Sequence, residues 1–211
     1  MNQRKALIRL VVWVLVPAWL GGTAWLFWVF GVRDMRPFTD DPRPFVQLQR
    51  DEALPAGLAQ LLRDVAEPGR PTVIEFRDTG CGCARFNAPH VARIREHYDA
   101  LGVRFVTVEA GSGQGPGEPR LQSLPRKLSE WLPITASPAA LVLDGRAQIA
   151  YFGPFSVGAG CLTGSGEFVE RALDRVLAGR HAQQFNVLDS GCYCDWPGAA
   201  GTPFPERRDR A

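Results

Sequence analysis

Two closely spaced cysteine pairs mark where this chain could do chemistry. Cys81 and Cys83 flank one glycine, Cys192 and Cys194 flank Tyr193, and Cys161 stands between the pairs. Sulfur so arranged can attack disulfides, form them, or hold a soft metal through thiolates. Five cysteines cannot all pair within one chain, so at least one thiol is free, reactive or bound elsewhere. A bond directly between Cys81 and Cys83 would close a small ring across one residue, which fits relaxed disulfide torsions poorly. Strain of that kind raises the reduction potential and makes such a pair a ready oxidant or isomerase rather than a staple.

Position assigns the roles. Cys81 falls in a turn that precedes a helix, where unpaired backbone N–H groups and the helix dipole favour the thiolate. It is therefore the expected nucleophile. Arg85, one turn on, either adds to that effect or is a solvated helix position. Cys192 and Cys194 follow the last expected helix by a tail of ~15 residues, which reaches about 45 to 50 Å when extended. The tail can return to the reactive turn. In one reading the tail pair or Cys161 resolves a mixed disulfide on Cys81; in the other a structural bridge joins Cys161 to the tail. His90, His97 and His181 are ordinary surface or half-buried positions, and only His90 lies near the cysteines in sequence.

The elements that must carry these residues are legible in the periodicity. Leu54 to Ala66 has apolar residues at helical spacing and is closed by Pro68 and Pro71. Thr72 to Phe76 reads as a strand, and a helix follows from about Ala84, with Val91, Ile94, Tyr98 and Leu101 on one face. Gly102 stops it before a strand over Val103 to Val108. After the glycine-rich loop Gly111 to Pro119, a helix is expected near Leu121 to Trp131. Strands Ala139 to Leu143 and Ala147 to Phe152 flank Asp144-Gly145, a hairpin signal. A last helix is expected over Glu167 to Leu177. This order argues an α/β domain in which a parallel βαβ unit joins an antiparallel hairpin.

Leu10 to Val32 contains no charge and, as a helix, would span about 34 Å, enough to cross a bilayer. Arg4, Lys5 and Arg9 precede it without an acid, which places the amino terminus in the cytoplasm and the remainder outside. The run is longer than the apolar core of a signal peptide and no A-x-A site follows, which favours an uncleaved anchor. The expected organisation is a cytoplasmic terminus over 1–9, a transmembrane helix over 10–32, a stalk rich in Pro and Asp over 33–53, a globular domain over 54–180 and a cysteine-containing tail over 181–211. The expected location is the bacterial inner membrane, with the domain in the periplasm. A formal charge of +2 without a basic stripe excludes a nucleic-acid partner.

The run V-I-E-F-R-D-T-G-C-G-C-A-R-F-N-A-P resembles the strand, active-site turn and first helix of the thioredoxin-like superfamily. Cys81 follows Phe76 by the family's spacing, and Pro89 matches the proline of its first helix. Ser137-Pro138 before a strand resembles the family's cis-proline loop, and Gly153 looks like the glycine that ends its last strand. The C-x-C-x-R-F-N-A-P-H run, S-P-A, Y-F-G-P and the C-terminal G-C-x-C are similar to an uncharacterised bacterial family of membrane-anchored thioredoxin-like proteins. The resemblance implies a central mixed sheet flanked by helices. It also implies a cis Pro138 beside the cysteines, and at Glu75 a buried acid that relays a proton to the departing thiol. In this register Ala84, not Cys83, holds the usual resolving position. Resolution then falls to Cys83, Cys161, Cys192 or Cys194.

The expected function is a membrane-anchored thiol-disulfide oxidoreductase or isomerase acting on protein or small-molecule thiols and disulfides. Its lipid contact would be through residues 10–32, and no cofactor or metal is assigned. Two alternatives stand beside it. One is a soft-metal (Cu or Zn) binding or delivery protein, against which C-x-C is not the common zinc spacing and no His or Met cluster accompanies it. The other is a non-catalytic assembly factor, favoured by the missing fourth-position cysteine.

Overall fold

The computed structural model describes residues 2–29, 35–50, 53–110, 123–129, 131–155, 168–180 and 183–197. Its centre is a mixed sheet of β2 (Thr72–Arg77), β3 (Arg104–Glu109), β5 (Ala139–Leu143), β6 (Ile149–Pro154) and β7 (Gln184–Phe185), in the order β3-β2-β5-β6-β7. β2 runs parallel to β3 and antiparallel to β5, β5 is antiparallel to β6, and β6 is parallel to β7. The right-hand rule for parallel crossovers leaves α4 (Gly82–Asp99) on one face of the β2–β3 pair.

Period-two alternation divides the core between the two faces of the sheet. On one face Val73, Ala140, Val142 and Tyr151 meet Val91, Ile94 and Tyr98 of α4 and Val169 and Leu173 of α6 (Phe168–Leu177). On the other, Ile74, Phe76, Leu141 and Phe152 meet Leu58 and Leu62 of α3 (Ala56–Val65), Phe45 of α2 (Arg43–Arg50) and Leu124 and Leu128 of α5 (Leu124–Leu128). This is the thioredoxin-like arrangement that the sequence implies.

Three boundaries differ from expectation for local reasons. The hairpin is longer than a two-residue Asp144-Gly145 turn. The Asp144 carboxylate accepts the N–H groups of Arg146 and Gln148, and Ala147 adopts a positive φ of 60°, so β6 begins only at Ile149. The helix expected over Leu121 to Trp131 is described only as the short α5. Gly153 lies inside β6, which runs on to Pro154, and a Cβ there would come within 2.6 Å of the Asn186 carbonyl oxygen and 2.8 Å of Tyr151 Oη.

Where a stalk was expected, the chain folds into the domain. β1 (Met35–Pro37) pairs antiparallel with β8 (Ser190–Cys192), with Met35 opposite Cys192 and Pro37 opposite Ser190. Phe38 and Phe45 are fully buried. They stack on or meet edge-on the ring of Phe152, so the segment contributes to the core instead of forming an extended spacer.

α1 (Asn2–Phe27) is a continuous helix with Pro17 inside it, and its described side chains, from Val11 to Phe27, are exposed. Among the described residues no helix is long and apolar enough to cross a membrane. The part of α1 with described side chains, residues 11–27, covers only about 26 Å at ~1.5 Å per residue. The rest of the expected span includes residues 30–32, outside the described residues.

Candidate active site

Cys81 caps the amino terminus of α4. Its carbonyl accepts the Arg85 N–H at 3.2 Å and its own N–H donates to the Asp78 carbonyl at 3.1 Å, which closes the turn between β2 and the helix. Asp78 shapes that turn further, since its carboxylate accepts the Gly80 N–H at 2.9 Å. Its own amide donates to Ser137 Oγ at 2.8 Å. That bond spans 59 residues and joins the reactive turn to the loop at the start of β5. There the Ser137–Pro138 peptide is cis, and the Ser137 carbonyl lies 3.7 Å from Cys81 Sγ. Cys81 is 2 % exposed. Cys83, one residue into the helix, is half-buried.

The tail completes the site. Cys194 is bonded to Cys81 and Cys192 to Cys83, so the two C-x-C segments lie against each other as a nested pair of bridges. Neither bond is the one-residue ring between Cys81 and Cys83. Both tail cysteines are engaged at the turn, so the alternative bridge from Cys161 to the tail is not formed in this structure; Cys161 itself lies outside the described residues.

Backbone pairing holds the tail independently of sulfur. β9 (Cys194–Asp195) is antiparallel to β4 (Ala136–Ser137), with Cys194 opposite Ser137 and Asp195 opposite Ala136. The Trp196 N–H donates to the Thr135 carbonyl at 2.9 Å, and its ring stands edge-on to Phe76. Thr135 Oγ1 donates to the Phe38 carbonyl, and the Phe38 N–H donates to Asp189, which ties β1, the cis-proline loop and the tail together. Arg36 forms an ion pair with Asp195 and holds that carboxyl below its ordinary range. Tyr193, between the two tail cysteines, is 4 % exposed and meets Phe38 edge-on at 5.5 Å. Burial raises its hydroxyl well above the usual tyrosine range, with the Asp189 charge adding to the effect. Gly191 must be glycine here, because a Cβ would stand 2.7 Å from Tyr193 Oη and 2.8 Å from Cζ.

Glu75 is 2 % exposed on β2, on the α4 face of the sheet. Its carboxylate accepts a hydrogen bond from Thr107 Oγ1 at 2.9 Å, and Arg95 of α4 approaches at 3.4 Å. These partners satisfy the buried carboxyl oxygens. Arg85 is exposed, His90 lies 3.3 Å from Glu170, and His97 stands edge-on to Tyr98. His181 lies outside the described residues.

The structure thus brings Cys81, Cys83, Pro138, Cys192 and Cys194 into one place, with Glu75 on the strand that leads into it. Sequence reasoning missed Asp78, Tyr193 and Trp196, and took Ser137 only as the residue before Pro138. The bulky aromatics interleaved with the tail cysteines in G-C-Y-C-D-W were the available signal, since buried aromatics dock a segment that would otherwise read as loose.

Comparison with solved structures finds distant neighbours. The chain is similar to an uncharacterized conserved protein from Geobacillus kaustophilus at 19 % identity, covering 61 % of this chain and 77 % of that one, with a TM-score of 0.44. It is similar to an uncharacterized thioredoxin-like protein from Porphyromonas gingivalis at 21 % identity, covering 55 % and 81 %, with a TM-score of 0.35. It is also similar to StoA from Bacillus subtilis at 20 % identity, covering 43 % and 79 %, with a TM-score of 0.33. No curated protein matches the chain. Residues 51–196, more than half of the chain, match the family described as Domain of unknown function (DUF6436), and the protein belongs to that family.

Proposed function

We propose that this protein is a thiol-disulfide oxidoreductase in which Cys81 attacks and Cys194 resolves, held at the outer face of a membrane by α1. The observation that carries the reading is the Cys81–Cys194 bond at the head of α4, beside Ser137-Pro138. In the reduced form the Cys81 thiolate attacks a substrate disulfide, forms a mixed disulfide and releases one substrate sulfur as thiolate. Cys194 then attacks Cys81 Sγ, which re-forms the Cys81–Cys194 bond and releases the second substrate thiol. The substrate gains two electrons and the protein's dithiol loses two; the reverse sequence oxidises a substrate dithiol. A dithiol reductant restores the reduced form. Cys194 takes the part for which Ala84 has no thiol, and it approaches from the tail instead of from the helix.

The anchor is supported by the uncharged run from Leu10 to Val32 and by the exposed Trp13, Leu15, Trp19 and Trp25 of α1, side chains that lipid would cover. One experiment tests both parts. Membranes from expressing cells are extracted at alkaline pH, and the pellet is probed for disulfide-linked adducts of Cys81→Ser and Cys194→Ser variants. The anchored chain stays in the pellet, and Cys194→Ser accumulates mixed disulfides that Cys81→Ser lacks. Chain in the supernatant removes the anchor. Equal adduct formation by the two variants removes Cys81 as the attacking thiol.

A further inference from the structure

The four described cysteines form a sulfur cluster that carries more than a redox reaction. The sulfurs of Cys81, Cys83 and Cys194 all lie within 4.8 Å of one another, and that of Cys192 is bonded to Cys83. A tetrahedral zinc tetrathiolate, with Zn–S near 2.3 Å, needs sulfurs about 3.8 Å apart. Breaking two S–S bonds moves each bonded pair apart towards that spacing, while the sulfur of Cys83, not bonded to Cys81 or Cys194, is already no more than 4.8 Å from either. The Cα atoms of the two pairs are 5.8 and 6.0 Å apart, so the sulfurs can separate without backbone movement.

The frame does not rest on the disulfides alone. Cys81 and Cys83 sit at the head of an 18-residue helix, whose N–H groups favour thiolate over thiol. Cys194 is held by the β4–β9 pairing, Cys192 by the β1–β8 pairing, and both by the burial of Tyr193 and Trp196. C-x-C within one segment is a poor zinc motif. Two C-x-C segments brought face to face by tertiary structure are a four-sulfur donor set.

We infer that the reduced protein binds one soft d10 cation, Zn(II) or Cu(I), through the thiolates of Cys81, Cys83, Cys192 and Cys194. Thiolate ligands select such ions over hard cations, and four of them make a closed site. Each of the two disulfides takes up two electrons from a dithiol or a phosphine and two protons from the dithiol or from water, which leaves a cyclic disulfide or a phosphine oxide and gives four thiols in all. A divalent cation then displaces four protons and forms the tetrathiolate. Oxidation by two equivalents of a disulfide removes four electrons, re-forms both bridges and releases the ion together with four thiolates of the oxidant. Redox state and metal occupancy are thereby exclusive at one set of atoms. The inference requires the four-cysteine cluster but no turnover, so it and the oxidoreductase reading fail on different measurements.

The test uses the full chain carrying Cys161→Ser, in detergent, reduced anaerobically with a phosphine that is then removed. Titration with Co(II) is expected to give sulfur-to-cobalt charge-transfer absorption and tetrahedral ligand-field bands that saturate at one equivalent. One equivalent of Zn(II) should displace them. The same chain with both disulfides formed should bind neither ion. A Cys83→Ser/Cys192→Ser pair, which leaves two of the four sulfurs, should weaken binding by at least ~100-fold. Absence of stoichiometric charge transfer in the reduced chain, an octahedral spectrum, or binding that survives oxidation or the double substitution overturns the inference.

Discussion

At the scale of single residues, Tyr193 shows how the tail is fitted. Its ring is buried against Phe38, and its hydroxyl has no hydrogen-bond partner among the described residues. A buried unpaired hydroxyl costs about 1–3 kcal/mol, so Tyr193→Phe should raise the unfolding free energy by roughly 1 kcal/mol. Its raised pKa has a further consequence. A group whose folded pKa lies above its unfolded value contributes stability that is complete below the unfolded value and lost as pH rises beyond it. For tyrosine that loss begins above about pH 10. Tyr151 is raised in the same direction by its own burial, so both residues make the fold sensitive to alkali. Urea unfolding across pH 8 to 12 should show a steeper loss in the native chain than in Tyr193→Phe, with Tyr151 supplying what remains.

At the scale of elements, the distinctive unit is the return of the chain along β8 and β9. The strands are only three and two residues long, so backbone bonds alone hold them weakly. Trp196 holds it, 7 % exposed and edge-on to Phe76, a residue of β2 in the five-stranded sheet. Truncating such a side chain costs about 3–5 kcal/mol in a core, which exceeds what two short bridges of backbone hydrogen bonds supply. In the reduced protein, Trp196→Ala should therefore release residues 190–197. Hydrogen exchange is the readout: protection at Cys194 and Trp196 amides should fall in the reduced variant and persist in the reduced native chain. If protection is unchanged, the tail is held by something other than Trp196, and the frame described for the four sulfurs needs another support.

At the scale of the whole molecule, the two bridges are nested and their effects on stability should not add. Either one alone closes a loop of more than 100 residues, with separations of 113 and 109. Such a loop corresponds to about 5 kcal/mol of lost unfolded-state entropy. Once one bridge exists, the second closes only the small ring through residues 81–83 and 192–194, worth about 2 kcal/mol. Cys83→Ser/Cys192→Ser and Cys81→Ser/Cys194→Ser should each lose roughly 2 kcal/mol under oxidising conditions, while removing all four sulfurs should lose roughly 7 kcal/mol. Denaturant unfolding of the three variants measures this directly, and additive losses would show that the bridges are not coupled through the shared loop.

The sequence by itself determined the order of helices and strands and the turn that places Cys81 at the head of α4, while the resemblance to thioredoxin-like proteins implied that Pro138 lies beside it. Those features are local: apolar periodicity, a hairpin aspartate and a cysteine at a fixed distance from a strand aromatic are written within short windows. It also raised the tail cysteines as partners, because chain length allowed their return. Only tertiary structure decided which sulfur meets which. Cys81 and Cys194 lie 113 residues apart, and no local pattern records a contact formed through the pairing of β4 with β9. The same reason hid the role of residues 35–50. Proline and aspartate made them read as a stalk, while Phe38 and Phe45 are buried only because β8 and Phe152 are there to receive them. Periodicity reports the face an element presents; what covers that face depends on residues distant in the chain.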